Sequence, residues 1–245
     1  MEDKDIHVIA HFEELRKRLM ITAITFLLFL MVSFVFVKDI YHFLVKGLDF
    51  KLAVLGPSDI LWVYFMLASV VGIAATIPVA AHQLWLFVKP ALSKKERKLT
   101  LSYIPALFLL FITGISFGYF ILFPLVLKFL ITLSGDMFTT FFTTEKYFTF
   151  LIHLTLPFGL LFELPVVVMF LTTIGIINPV MLQKSRKYAY FALIVTAVLI
   201  TPPDFISDFL VTIPLLLLYE ASISLSKMVY NRKMKNTVVT QESSM

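Results

Sequence analysis

Long uncharged stretches dominate this 245-residue chain. Residues 99–127 contain no aspartate, glutamate, lysine or arginine, and residues 147–177 contain only one, Glu163. An α-helix rises about 1.5 Å per residue and the hydrocarbon core of a bilayer is about 30 Å thick, so either stretch is long enough to cross a membrane. Because 59% of the residues are hydrophobic and only 15% are charged, the composition excludes a soluble enzyme, a disordered chain and a collagen-like repeat.

The same reasoning predicts six membrane-spanning helices. The first four are clear from length alone, whereas the last two have uninterrupted apolar runs of only 14 and 11 residues. We include both because a tight Pro202-Pro203 turn joins them into a hairpin beside four clear spans. The predicted spans are residues 19–37, 60–81, 99–127, 147–177, 188–201 and 205–226.

Positive charge is distributed unequally between the two sides of these spans. Sixteen of the 21 lysines and arginines lie on the side that holds both chain ends, and five lie on the other side. Since positively charged connections stay in the cytoplasm, both termini are predicted to be cytoplasmic. The six-span domain at 19–226 then lies between an amphipathic surface segment at 1–18 and a polar cytoplasmic tail at 227–245. This surplus of cations explains the net charge of +5 without nucleic acid.

Glu163 lies near the middle of the fourth predicted span. A carboxylate at the centre of a transmembrane helix costs about 2.5–3.5 kcal/mol to insert, so it should face protein or water. Two interpretations stay open: a polar position on a transport path, or a neutral glutamic acid that holds neighbouring helices together. Prolines in or near the spans predict bent helices around a concavity: Pro78, Pro105, Pro124, Pro157, Pro165 and Pro214.

Gly114 and Gly118 are four residues apart in the third span. This spacing permits close packing of two helices, because neither residue has a side chain. Packing within one subunit and packing between two copies of the chain are equally compatible with the pattern.

Isolated acids lie among bases on the predicted cytoplasmic side. Glu14 precedes Arg18 by four residues, a spacing at which the two can pair on one helix face. Glu96 is the only acid in the connection at 82–98, which has five bases. Such a carboxylate suits the guanidinium of a partner, through a bidentate pair, or forms an ordinary surface salt bridge of little energy.

No catalytic or metal-binding pattern is present in the sequence. The chain has no cysteine, its five histidines are scattered, and it has neither a Walker-type phosphate loop nor a serine-nucleophile elbow. We therefore expect no enzymatic activity, no cofactor and no bound metal. Two alternatives remain open: a small proton-coupled transporter that uses Glu163, and an intramembrane enzyme that pairs Glu163 with Asp208.

Short strings along nearly the whole chain follow one family pattern. In chain order they are HFEELRKRL at 11–19, QLWLFVKPAL at 83–92, FGLLFELP at 158–165, RKY at 186–188, LITPPD at 199–204 and IPL at 213–215. In combination, these strings resemble the TatC family, the multi-span subunit of the twin-arginine (Sec-independent) protein translocase. The resemblance extends from about residue 7 to residue 226.

The resemblance implies an all-α membrane protein with six transmembrane helices in a cupped arrangement and both termini in the cytoplasm. The implied location is the bacterial cell membrane. The implied function is that of a receptor and core channel component, which binds the twin-arginine signal of folded precursor proteins and supports their proton-gradient-driven export. The implied partners are those precursors, small single-span translocase subunits, membrane lipid and further copies of the chain, but not nucleic acid.

Roles for residues on the cytoplasmic side follow from the same resemblance. Glu14 and Glu96 would bind the paired arginines of the signal. Arg16, Phe87 and Pro90 would shape the surface around them. Two lone acids among many cations fit this role, because a signal with two arginines is repelled by the rest of the face.

The resemblance also implies roles inside the membrane and on its outer side. Glu163 would be the polar residue of the concave face, near the contact with the small single-span subunits. Asp208, where glutamine is common in the family, would belong to the same contact. Pro202 and Asp204 would form the outer turn.

Overall fold

The computed structural model describes residues 2–48, 51–135, 141–201 and 205–242, and helices make up nearly all of them. They are α1 (Glu2–Val45), α2 (Pro57–Val88), α3 (Lys94–Leu101), α4 (Tyr103–Phe117), α5 (Phe123–Ser134), α6 (Thr144–Leu161), α7 (Leu164–Ile174), α8 (Pro179–Lys184), α9 (Arg186–Ile200) and α10 (Phe205–Glu242). A 3-10 turn, Lys89–Ala91, follows α2, and a π-helical turn, Gly118–Leu122, joins α4 to α5. The all-α class expected from the sequence is confirmed.

Five helical stretches among the described residues are long and apolar enough to cross a membrane: His11–Val45, Pro57–Val88, Glu96–Leu133, Thr144–Ile174 and Phe205–Met234. The chain is therefore a multi-pass membrane protein. The predicted fifth span corresponds to α9, which has 15 residues. A helix of that length rises about 22 Å, less than the roughly 30 Å of a hydrocarbon core. The sixth crossing therefore stays a prediction.

The chain divides into two compact units. Unit 1 consists of Met1–Arg97 and Asp136–Ile152, and unit 2 consists of Lys98–Gly135 and His153–Met245. Each unit combines two separate stretches of sequence. Unit 1 contains α1, α2 and the first half of α6, whereas unit 2 contains α4, α5, the second half of α6 and α7 to α10.

Helices α1 and α2 pack against each other along their length in unit 1. The rings of Phe34 and Phe65 lie 6.4 Å apart, and near the other ends of the helices Arg18 donates to Gln83. The two helices are therefore antiparallel. A Cβ atom at Gly72 would lie only 3.3 Å from the α1 backbone, so glycine allows this close approach.

Backbone hydrogen bonds join the loop after α1 to the start of α6. Ala53 forms the only β-bridge within the described residues, with Thr143. Its N–H donates to the Phe142 carbonyl at 3.0 Å, and its own carbonyl accepts from the Thr144 N–H at 2.8 Å. This pairing holds together two segments of unit 1 that are 90 residues apart in sequence.

Glycines bring α4 and α6 into contact in unit 2. A Cβ atom at Gly114 would lie 2.5 Å from the Phe158 carbonyl oxygen, and one at Gly118 would lie 2.8 Å from the Thr155 Cα. From the other side, a Cβ at Gly159 would meet Phe111 at 2.8 Å. The glycine pair singled out in the sequence is thus used for packing within the chain.

Some prolines of this chain lie inside continuous helices, and others lie where one helix gives way to the next. Pro78 and Pro214 lie inside the uninterrupted helices α2 and α10. Pro124 instead follows the π-helical turn between α4 and α5. A proline ring clashes with the carbonyl four residues earlier, here that of Phe120, and the wider π turn relieves this crowding.

Polar contacts fasten α7 and α8 to the long helix α10 in unit 2. The hydroxyls of Thr172 and Ser226 lie 2.8 Å apart, and the Lys233 ammonium donates to the Thr173 carbonyl at 2.8 Å. The Tyr219 hydroxyl donates to the Leu182 carbonyl at 2.9 Å. Carbonyls at helix ends have no partner within their own helix. Lys233 and Tyr219 supply hydrogen-bond donors to two such carbonyls.

Candidate functional site

Five side chains from α1 and α2 form one cluster in unit 1. His11, Glu14 and Arg18 are spaced three and four residues apart, so they share a face of α1. Gln83 and Phe87 are four residues apart and share a face of α2. We call these five residues the α1–α2 cluster.

Arg18 is the centre of the α1–α2 cluster. Its Nε donates to Glu14 Oε1 at 3.1 Å, and its Nη2 makes a second, shorter contact with the same oxygen. Its Nη1 donates to Gln83 Oε1 at 3.3 Å. The Arg18 side chain is only 20% exposed, whereas that of Glu14 is 38% exposed. The predicted pairing of Glu14 with Arg18 is confirmed, and the structure adds a link to α2.

A contact between two rings lies at the other end of the α1–α2 cluster. The His11 imidazole stacks on Phe87 with 4.2 Å between ring centroids and 23° between ring planes. Phe87 thus has a partner on α1 as Gln83 does. The two contacts fix how the start of α1 lies against the end of α2.

Glu96 belongs to the start of α3. Its Oε2 accepts a hydrogen bond from the Ser93 N–H at 3.0 Å, and its own N–H lies 3.4 Å from Ser93 Oγ. This reciprocal pair is a capping box, which satisfies two N–H groups at a helix start. The Ser-x-x-Glu pattern is visible in the sequence, so this role of Glu96 was predictable in addition to a partner arginine or a surface salt bridge.

The other residues assigned to this face lie nearby in sequence. Pro90 lies in the 3-10 turn between α2 and α3 and is exposed, and Arg16 is exposed on α1. Lys89 in the same turn places its ammonium 5.1 Å from the centroid of the Trp85 ring. Glu14, Arg16, Phe87, Pro90 and Glu96 all belong to unit 1.

Glu163 lies at a break between two helices in unit 2. Helix α6 ends at Leu161 and α7 begins at Leu164, with Pro165 in its first turn. Glu163 is the residue that precedes α7, and its carbonyl accepts from the N–H groups of Val166 and Val167, both at 3.0 Å. Its Oε1 is buried and has no hydrogen-bond partner among the described residues. A buried oxygen without a hydrogen bond lowers the stability of the folded chain. Groups retained at such a cost often have a functional role.

Asp208 joins the two helices of the predicted hairpin. It lies in the first turn of α10 and accepts a short hydrogen bond from the Thr201 hydroxyl at the end of α9. This hydrogen bond ties the start of α10 to the end of α9. Pro202 and Asp204 lie outside the described residues.

An ion pair between α9 and α10 is not among the features predicted from the sequence. Arg186 Nη2 donates to Glu220 Oε2 at 2.6 Å, and the Tyr190 hydroxyl donates to Glu220 Oε1 at 2.5 Å. In the sequence, Glu220 interrupts the sixth predicted apolar run. Arg186 and Tyr190 are four residues apart and therefore share one face of α9. This spacing of two hydrogen-bond donors is the sequence feature from which a shared acidic partner could have been predicted.

The described residues of these sites are mainly charged and hydrogen-bonding side chains. No group of three or more histidine, aspartate or glutamate side chains suited to a metal ion occurs in residues 2–48, 51–135, 141–201 and 205–242. The α1–α2 cluster holds a guanidinium against a carboxylate, and it does so at a partly exposed surface. A carboxylate suits a guanidinium in particular, because the planar fork of donors matches its two oxygens.

Comparison with known proteins gives concordant matches. The family model "Sec-independent protein translocase protein (TatC)" matches residues 10–214. The chain is 61% identical to the Sec-independent protein translocase protein TatCd of Bacillus subtilis strain 168, over 96% of this chain and 97% of that protein. It is 45% identical to TatCy of the same organism, over 100% and 98% of the two chains.

A solved structure matches the fold. The crystal structure of the twin arginine translocase receptor TatC superposes with a TM-score of 0.78 at 35% sequence identity. The superposition covers 89% of this chain and 99% of that chain.

Proposed function

Because this chain belongs to the TatC family of Sec-independent protein translocase proteins, we propose that it binds the paired arginines of export signals through Glu14 and Glu96. The family membership confirms the resemblance drawn from the sequence strings. It makes the chain a component of a protein translocase, and it gives no support to a small solute transporter. The signal-binding role goes further and rests on the α1–α2 cluster.

One observation carries the proposal: Glu14 already holds a guanidinium, that of Arg18. The carboxylate is partly exposed, so a guanidinium from outside can reach it. Most of the chain's positive charge lies on the same predicted side, which repels an arginine-bearing signal in general. A signal is therefore attracted only where a carboxylate is presented, and charge-assisted bonds give that contact strength and geometry.

Glu96 supplies the second acid of the proposed site. Its hydrogen bond to the Ser93 N–H holds the carboxylate at the start of α3 instead of leaving it on a freely rotating side chain. Pre-organised groups lose less entropy on binding. Arg16, Phe87 and Pro90 shape the surface between the two acids, and the stacking of Phe87 on His11 favours a rigid surface.

The remaining parts of the proposal concern the membrane domain and its partners. We place six spans at the predicted positions, with both termini in the cytoplasm of a bacterial cell and Pro202 and Asp204 at the outer turn. Folded precursors bound by the cytoplasmic face are exported with energy from the proton gradient. Small single-span subunits contact the region of Glu163 and Asp208, and several copies of the chain assemble with them in the lipid bilayer. The buried, unpaired oxygen of Glu163 supports a functional role at that position.

Binding of a labelled twin-arginine signal peptide to the full chain in lipid nanodiscs tests the proposal. The variants are Glu14→Gln and Glu96→Gln, alone and combined. Glutamine removes the charge but keeps an oxygen for the Ser93 N–H, so the capping of α3 is retained. Glu13→Gln is the matched control, because Glu13 is an exposed acid adjacent to Glu14.

We expect each single variant to weaken binding by at least about tenfold, or about 1.4 kcal/mol, because a charge-assisted contact is lost. The control should change binding little, and a twin-lysine peptide should bind the original chain less tightly than the twin-arginine peptide. Equal binding of both peptides, or full binding by the double variant, would contradict the proposal.

A further inference from the structure

Arg18 is hydrogen-bonded to the Glu14 carboxylate, the group that the proposed function assigns to an arginine of the signal. We propose that Arg18 sets the affinity of the signal site, because its guanidinium is an intramolecular ligand of Glu14 that an arginine of the signal must displace. This inference rests on the proposed function and adds a residue to it. Arg18 and the signal arginine both carry a guanidinium, so they compete for the same carboxylate.

The geometry supports displacement. Two of the guanidinium nitrogens of Arg18 contact one and the same oxygen of Glu14, Oε1. A carboxylate paired with a guanidinium has little net charge left to attract a further cation. Bidentate binding of a signal arginine also needs both carboxylate oxygens, and one of them is taken. The signal arginine therefore gains the full contact only when Arg18 leaves Glu14.

Gln83 offers Arg18 a place to remain. In the resting structure Gln83 Oε1 accepts one hydrogen bond, from Arg18 Nη1. An amide oxygen has two lone pairs and accepts a second bond. Once it has left Glu14, Arg18 can direct another N–H to this oxygen, so Gln83 stabilises the displaced state more than the resting state. The exchange then replaces one guanidinium by another on Glu14 while the Arg18 guanidinium keeps a hydrogen-bond acceptor in Gln83.

The proposal predicts opposite effects for two neighbouring changes. Arg18→Gln removes the competitor, so signal affinity should rise by about tenfold, the factor that corresponds to about 1.4 kcal/mol. Gln83→Leu removes the acceptor for the displaced side chain, so signal affinity should fall by about threefold. If Arg18 and Gln83 served only to hold α1 against α2, both substitutions would weaken binding.

The experiment measures twin-arginine peptide binding to the full chain in nanodiscs for both variants. Lys17→Gln is the control for the general effect of removing one positive charge, since Lys17 is exposed next to Arg18 on α1. The double variant Arg18→Gln with Glu14→Gln provides a thermodynamic cycle. The gain from Arg18→Gln should vanish in the absence of the Glu14 carboxylate, because there is then nothing to compete for.

Each outcome decides the matter. A gain for Arg18→Gln above that of the control, lost in the Glu14→Gln background and opposite in sign to Gln83→Leu, supports the proposal. A loss of affinity, a gain equal to that of Lys17→Gln, or a gain that persists without Glu14 overturns it. If Arg18→Gln does not fold, Arg18→Lys takes its place, because an ammonium lacks the planar fork of donors and competes less well for Glu14; tighter binding then supports the proposal, and unchanged or weaker binding overturns it.

Failure of this inference is distinguishable from failure of the proposed function. If Glu14→Gln alone leaves peptide binding unchanged, Glu14 is not a signal-binding residue and both ideas fail. If Glu14→Gln weakens binding but Arg18→Gln does not strengthen it, the signal site stands and only the competition by Arg18 is rejected.

Discussion

Substitution of Gly114 by alanine should loosen the packing of α4 on α6. The added Cβ would lie 2.5 Å from the Phe158 carbonyl oxygen and 2.9 Å from the Gly159 Cα, and both are backbone atoms that no side-chain rotation can move. Overpacking of this kind costs about 1–3 kcal/mol, and a backbone obstacle places it near the upper end. Alanine regains about 1 kcal/mol of helix propensity over glycine. The net loss in free energy of unfolding is therefore about 2 kcal/mol.

Reversible unfolding of the purified chain in mixed micelles measures this change. Gly47→Ala is the matched control, because a Cβ atom at Gly47 meets nothing within 4 Å. We expect Gly114→Ala to lower the free energy of unfolding relative to the original chain and to the control. If both variants unfold like the original chain, the close contact of α4 with α6 does not exist as described.

Further predictions concern single contacts in the same structure. Ser93→Ala should cost about 1 kcal/mol at the start of α3 and speed amide hydrogen exchange at residues 94–97, because the capping box is lost; unchanged exchange would contradict it. Glu163→Leu should raise the free energy of unfolding by about 1–3 kcal/mol, since a buried oxygen without a partner is removed, while export falls; lower stability would refute this reading. Tyr190→Phe should lower the free energy of unfolding because Glu220 loses a hydrogen bond, and a value equal to that of the original chain would count against it.

The sequence predicted helices well because the information needed for them is local. Uncharged length indicated the apolar stretches, and a spacing of four residues predicted the pair of Glu14 and Arg18. The Ser93 and Glu96 pattern was equally local and could have identified the capping box. In each of these cases both partners lie within one helical turn, so periodicity alone is sufficient.

The contacts between helices were beyond the sequence. Periodicity shows which residues share a face, but it does not show which face of another helix they meet. The hydrogen bond from Arg18 to Gln83 joins residues that are 65 positions apart, and the local sequence around either residue does not predict the other as its partner. For the same reason, the glycine pair in the third span left two packing partners open until the position of Phe158 was known.

Unit 1 is assembled from two parts of the chain that are made at different times. Translation produces α1 and α2 first, and they can pair as soon as both have entered the bilayer. The loop at Ala53 is held by backbone hydrogen bonds to Phe142 and Thr144. These two residues emerge from the ribosome only after the first part of unit 2 has been synthesised. Contacts between such distant segments form late. During biogenesis this loop therefore waits for its partner, and a stalled or truncated chain that ends before residue 141 would contain α1 and α2 but never close that end of unit 1.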